Sequence, residues 1–91
     1  MKYLTNTLFR IFHYTKDDTE VIDVELPGVD PADVKITQEN GRFYLNEARI
    51  AQGFNGNFYD LSAVKAELKH GLLTITIPRK KPNRQEIPLL T

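Results

Sequence analysis

An all-β fold, an antiparallel β-sandwich with an extended C-terminal tail, is the class this sequence predicts, and three observations predict it. Apolar residues recur at every second position in several short runs. Turn-forming Gly, Asn and Pro interrupt those runs at the spacing of about 8–12 residues expected of sandwiches. No stretch sustains the 3.6-residue period of an amphipathic helix.

The elements follow in chain order. Arg10–Tyr14 is the first strand. Val21–Leu26 alternates, with Ile22, Val24 and Leu26 on one side and Asp23 and Glu25 on the other, and Pro27-Gly28 ends it. Asp30-Pro31-Ala32-Asp33 has a capping Asp before a Pro at the first helical position and predicts one helical turn. Val34–Glu39 alternates again and stops at Asn40-Gly41, the strongest two-residue hairpin signal. Arg42–Ile50 reads as the returning strand. The loop Ala51–Phe58, with Gly53, Asn55 and Gly56, suits a tight hairpin. Phe58–Leu61 and Val64–Leu68 are further strands, and Leu73–Ile77 is the seventh, closed by Pro78.

Ninety-one residues make one domain, able to bury roughly 64% of its unfolded surface. Twelve Lys and Arg balance twelve Asp and Glu, so no global field attracts nucleic acid or an anionic membrane. The balance conceals a segregation. Asp17 to Glu39 holds eight acids and one base, whereas Arg79 to Arg84 holds four bases and no acid. In a strand-rich fold these two regions are able to meet. There is no cysteine, no apolar run of membrane-spanning length and no secretory pattern in Met1–Thr7, so a cytoplasmic domain without disulfide or membrane segment is expected.

Few residues suggest catalysis. Ser62 is the only serine and lies in what reads as an ordinary turn, Leu61-Ser62-Ala63, without the context of an activated nucleophile. His13 and His70 are far apart, and His70 precedes Gly71 in a predicted turn. With no Cys and no calcium-loop spacing, neither a metal nor a cofactor is expected. The acids between Asp17 and Asp33 alternate with apolar residues and read as a solvated strand face. The basic run Arg79–Arg84 has no interleaved aromatic residue to stack on bases, and reads as a solvated tether facing the acidic strand.

That tether ends in an apolar knot, Ile87-Pro88-Leu89-Leu90. The proline pre-organises an extended segment, so Ile87 and Leu89 point to one side as knobs for a groove. From Pro78 the tether spans about 30 Å, enough to dock on a neighbouring subunit or on its own domain.

The run Ala66-Glu67-Leu68-Lys69-His70-Gly71-Leu72-Leu73-Thr74-Ile75-Thr76-Ile77-Pro78 resembles the signature of the alpha-crystallin domain of small heat-shock proteins. Glu25-Leu26-Pro27-Gly28 followed by Asp33–Ile36 resembles that family's turn and next strand, and Ile87-Pro88-Leu89 resembles its C-terminal anchor. The resemblance implies an immunoglobulin-like β-sandwich at 9–78, an arm at 1–8 and a C-terminal extension at 79–91. It implies an ATP-independent holdase, not an enzyme, whose partners are non-native client proteins and further copies of itself in a dimer or small oligomer, with no nucleic acid or membrane. It implies that Ile87, Pro88 and Leu89 anchor in a groove with Val34, Ile36, Ala66 and Leu68 as candidates; alternation leaves each of these four in the groove or in the core.

The chain also departs from the family. Family members usually carry a long N-terminal arm, which drives large assembly and client capture. Microbial and plant members exchange a strand borne on a long loop, where Ala51–Phe58 is short; edge-to-edge pairing is the expectation instead. Asp60 and Ser62 stand where a basic residue and a Pro are common. The alternative function is a β-sandwich binding module or co-chaperone, without holdase activity, that recognises one defined partner.

Overall fold

The computed structural model describes residues 10–81 and 86–91; the expected arm at 1–8 and part of the basic tether lie outside them. Four two-residue turns organise the chain: Asp17-Asp18, Asn40-Gly41, Asn46-Glu47 and His70-Gly71. All eight residues have positive φ, between 46° and 80°, the turn whose twist matches that of the strands it joins. They connect β1 (Arg10–Lys16) to β2 (Thr19–Glu25), β3 (Ile36–Glu39) to β4 (Arg42–Leu45), β4 to β5 (Ala48–Ala51), and β6 (Lys65–Lys69) to β7 (Leu72–Pro78). One sheet has the order β1-β2-β7-β6 and the other β3-β4-β5, with every pairing antiparallel. This is the expected two-sheet β-sandwich.

Two expected strands are corrected. Arg42–Ile50 is not continuous, because Asn46 and Glu47 take left-handed backbone conformations and fold it into the β4–β5 hairpin. Phe58–Leu61 is not a strand but carries a single bridge, Tyr59 opposite Arg79. Turn chemistry on both sides curls this segment. The Asn55 carbonyl accepts from the Phe58 and Tyr59 N–H groups at 2.9 and 3.0 Å. Asp60 Oδ1 accepts from the Ser62 N–H at 3.2 Å and caps a 3₁₀ turn at Leu61–Ala63. Nor do residues 51–58 make a tight hairpin, since β5 and β6 belong to different sheets and the chain crosses between them. The expected turn at Pro31–Asp33 is present, capped by Asp30, whose Oδ1 accepts from the Ala32 N–H at 3.0 Å.

The core lies between the sheets. Ile22 and Val24 of β2 pair with Ile75 and Leu73 of β7, and all four turn inward with Ile77. Phe43 and Leu45 of β4 face them, and Leu26 and Phe54 close the layer from the loops. Gly41 has φ +80°, and a Cβ there would collide with the Phe54 carbonyl; its own carbonyl accepts from the Phe54 N–H at 3.2 Å.

One buried charge interrupts this apolar layer. Glu20 follows the β2 alternation inward, opposite Ile77. Its carboxylate accepts from Thr15 Oγ1 at 2.6 Å, meets His13 Nε2 at 3.0 Å and accepts from Arg79 Nη2 at 3.2 Å. The acidic strand and the basic tether thus meet here, as the charge segregation allows. The Thr15 hydrogen bond, helped by Arg79 and His13 and opposed by burial, holds the Glu20 carboxyl below its ordinary value of 4.5.

Replacing Ile75, fully buried, by Ala is expected to cost about 2–5 kcal/mol in urea-denaturation stability. Because the Glu20 carboxyl is depressed in the folded state, its contribution is complete above its ordinary value and is lost as pH falls through the lowered one. Glu20→Gln is therefore expected to flatten the decline of thermal stability on acidification below about pH 5, measured by circular dichroism.

Candidate functional site

Turn geometry decides which backbone groups a sheet edge offers. A two-residue turn makes its flanking residues a hydrogen-bonded pair, and residues then alternate along the strand. Lys69 pairs with Leu72 across His70-Gly71, so Ala66 and Leu68 direct their N–H and C=O groups away from β7, off the free edge of β6. Their side chains point inward, since Ala66 lies opposite buried Ile75 and Leu68 opposite buried Leu73. Lys65, Glu67 and Lys69 occupy the outer face. The same parity across Asn40-Gly41 makes Ile36 present its backbone off the free edge of β3, while its side chain shares the inward face of its partner Leu45.

Val34, expected within a strand, instead ends the Pro31–Asp33 turn in extended conformation (φ −106°, ψ 124°), two residues before β3 begins. Its position is stitched by Asn46, a residue the sequence reading passed over. Asn46 Oδ1 accepts from the Lys35 N–H at 2.7 Å, its Nδ2 donates to the Asp33 carbonyl at 2.7 Å, and its own N–H donates to the Lys35 carbonyl at 2.9 Å. The available signal was the Asn-Glu pair that follows Phe43-Tyr44-Leu45, since Asn tolerates the left-handed conformation.

Val34, Ile36 and Leu68 are half-buried and pack against the core cluster, while Ala66 is exposed. His13 of β1 packs against Phe54, just beyond β5, with ring centroids 5.5 Å apart. That contact sets β1 on the β5 side of the sandwich, and the sheet orders then leave β6 and β3 as the edges of the opposite side. Ile36, Ala66 and Leu68 thus stand on these two edges beside backbone groups without a strand partner in the sheets, with Val34 just before β3; all but exposed Ala66 are half-buried. A free strand edge flanked by apolar side chains suits an extended apolar peptide.

The tail offers one. Ile87 and Leu89 are 83% and 87% exposed, and Leu90 is still more so. The domain therefore leaves these side chains uncovered. Elsewhere, Ser62 Oγ donates to Asp60 Oδ1 at 2.6 Å, His13 is engaged by Glu20, and His70 forms a turn. No helix is long and apolar enough to cross a membrane.

The chain matches no family model. It is 30% identical to small heat shock protein C1 of Rickettsia bellii over 82% of this chain and 57% of that one. It is 28% identical to the 19.0 kDa class II heat shock protein of Oryza sativa subsp. japonica over 93% of this chain and 64% of that one. It therefore spans less than two thirds of the length of these relatives. In fold it is similar to a small heat-shock protein of Xylella fastidiosa, with a TM-score of 0.70 and 19% identity over 92% of this chain and 96% of that one. The sandwich, the order of the motifs along it and these relatives agree that the chain belongs to the small heat-shock protein family, of which it carries the alpha-crystallin domain.

Proposed function

We propose that the protein is an ATP-independent holdase, binding partly unfolded proteins through apolar surface and limiting their aggregation, and that it assembles with further copies through its tail. The observation that carries this reading is the exposure of Ile87 and Leu89 on a chain whose inward-facing edges are half open. A non-native client exposes apolar surface, and a protein that covers it withdraws the client from aggregation without any chemical step. The lack of cysteine suits a reducing cytoplasm.

In this reading Ile87 and Leu89 seat between β3 and β6 of a second copy, with Pro88 keeping the segment extended. Val34, Ile36 and Leu68 supply the apolar walls. Ala66, exposed and small, leaves room for a side chain above it. The outward N–H and C=O groups of Ala66 and Leu68 provide backbone hydrogen bonds for the incoming strand.

Light scattering of a heat-labile test protein, with the intact chain at increasing molar ratio, is expected to show suppressed aggregation without ATP. No suppression at molar excess, together with capture of one stoichiometric partner, would instead identify a dedicated binding module. Burying an aliphatic side chain contributes about 1.5–3 kcal/mol. The double variant Ile87→Ala, Leu89→Ala is therefore expected to weaken docking by about two to four orders of magnitude and to move the sedimentation profile to smaller species. An unchanged profile counts against the tail as an assembly contact.

A further inference from the structure

Among the described residues the two sheets have four free edges: β1, β6, β3 and β5. An unprotected edge is a template for another strand, and most edges carry a feature that blocks this. β3 and β5 are only four residues long, and β5 pairs through an irregular register. β6 presents Lys65, Glu67 and Lys69 at alternate positions. β1 differs from all three. It is seven residues long, without proline or bulge, and in regular register with β2 along its whole length. Every residue is exposed, including Ile11 (38%), Phe12 (45%) and Tyr14 (44%), and Arg10 and Lys16 stand only at its ends.

The Asp17-Asp18 turn makes Lys16 and Thr19 a hydrogen-bonded pair. Tyr14, Phe12 and Arg10 therefore direct their backbone groups to β2, while Thr15, His13 and Ile11 direct theirs outward. We propose that β1 is a self-complementary interface, on which the β1 strand of a second copy pairs antiparallel about a two-fold axis through His13, joining two four-stranded sheets into one. This proposal adds a second contact, apart from the tail, to the self-association proposed above and rests on that reading.

The register follows from the parity. His13 lies opposite His13 of the second copy, and Ile11 opposite its Thr15; these are the residues whose N–H and C=O groups face outward, so they form the hydrogen-bonded pairs. Between them Phe12 lies opposite Tyr14 of the second copy, and Tyr14 opposite its Phe12, in the closely spaced non-hydrogen-bonded positions where aromatic cross-strand pairs form. Both rings lie on the outer face, with Tyr14 Oη oriented by its bond to Asp23 Oδ2 at 3.0 Å. The two His13 imidazoles turn inward, each onto its own Glu20 at 3.0 Å. Arg10 faces Lys16 of the second copy, a repulsion that the Arg10–Glu25 ion pair at 3.5 Å offsets.

Sedimentation velocity on the full chain tests this, in a Ile87→Ala, Leu89→Ala background that removes the tail contact. Ile11→Pro deletes an N–H that faces solvent in the monomer, so the β1–β2 ladder is kept while pairing is blocked. The tail variant is expected to remain a dimer, and addition of Ile11→Pro to convert it to monomer with an unchanged circular dichroism spectrum. Should Ile11→Pro unfold the domain, Phe12→Lys with Tyr14→Lys, both at exposed side chains, is expected to give the same monomer. A tail variant that is already monomeric, or a folded variant of either kind that stays dimeric, overturns the proposal. A tail variant that sediments like the intact chain counts against tail docking alone.

Discussion

Phe54 belongs to no strand, yet it locks the crossing loop to the two sheets. Its ring meets Phe43 of β4 edge-on at 5.3 Å and Tyr59 of the crossing segment at 5.1 Å, and His13 of β1 tilts against it at 5.5 Å. Its backbone closes on Gly41, where only glycine leaves room. One buried ring thereby couples the β3–β4 turn, the edge strand β1 and the loop that carries the chain from one sheet to the other. Aromatic contacts of this geometry add to the burial of the ring itself.

His13 joins that ring to the Glu20 carboxylate, and the two are complementary. Phe54 supplies apolar closure, while Glu20 supplies the polar bonds that give the β1–β2 hairpin and the start of the tether a defined relation. Arg79 reaches Glu20 while lying 5.7 Å over the Tyr59 ring. The segments 58–60 and 78–80 run together there, with Asp60 N–H on the Pro78 carbonyl at 2.8 Å and Lys80 N–H on the Phe58 carbonyl at 2.9 Å. A buried carboxylate left without such partners is costly. The arrangement therefore fixes where the tether departs from the domain.

The two-residue turns have a reach beyond their own four positions. Each sets the hydrogen-bonding parity of its strands, and parity decides which backbone groups every free edge offers. The groove proposed between β3 and β6 and the interface proposed on β1 are consequences of the same geometry, read at opposite sides of one sandwich. They differ in what flanks the backbone groups. At β3 and β6 half-buried aliphatic side chains point inward, which suits knobs entering from a tail. At β1 aromatic rings stand on the outer face, which suits a second strand alongside.

Alternation alone made the sandwich legible, because in a sheet with one buried face the period of two assigns each residue a side. Ile22, Val24, Leu73, Ile75 and Ile77 are buried for that reason, and the Asn40-Gly41 and His70-Gly71 turns and the Asp30 cap follow from local backbone preference. The uncovered tail knot was likewise visible as an apolar cluster beyond a charged tether. Local pattern was silent where distant groups compete. Asn46 breaks the run from Arg42 to Ile50 because Asp33 and Lys35 reach it from another segment, and a sequence window does not contain that contact. Phe58–Leu61 has strand-like composition, but Asn55, Asp60 and Pro78 draw its backbone groups into turns and a single bridge. The burial of Glu20 beneath Arg79, 59 residues away, and the open position of Ala66 at an inward-facing edge depend on how one sheet lies over the other. That arrangement is set by packing across the core, not by any single strand.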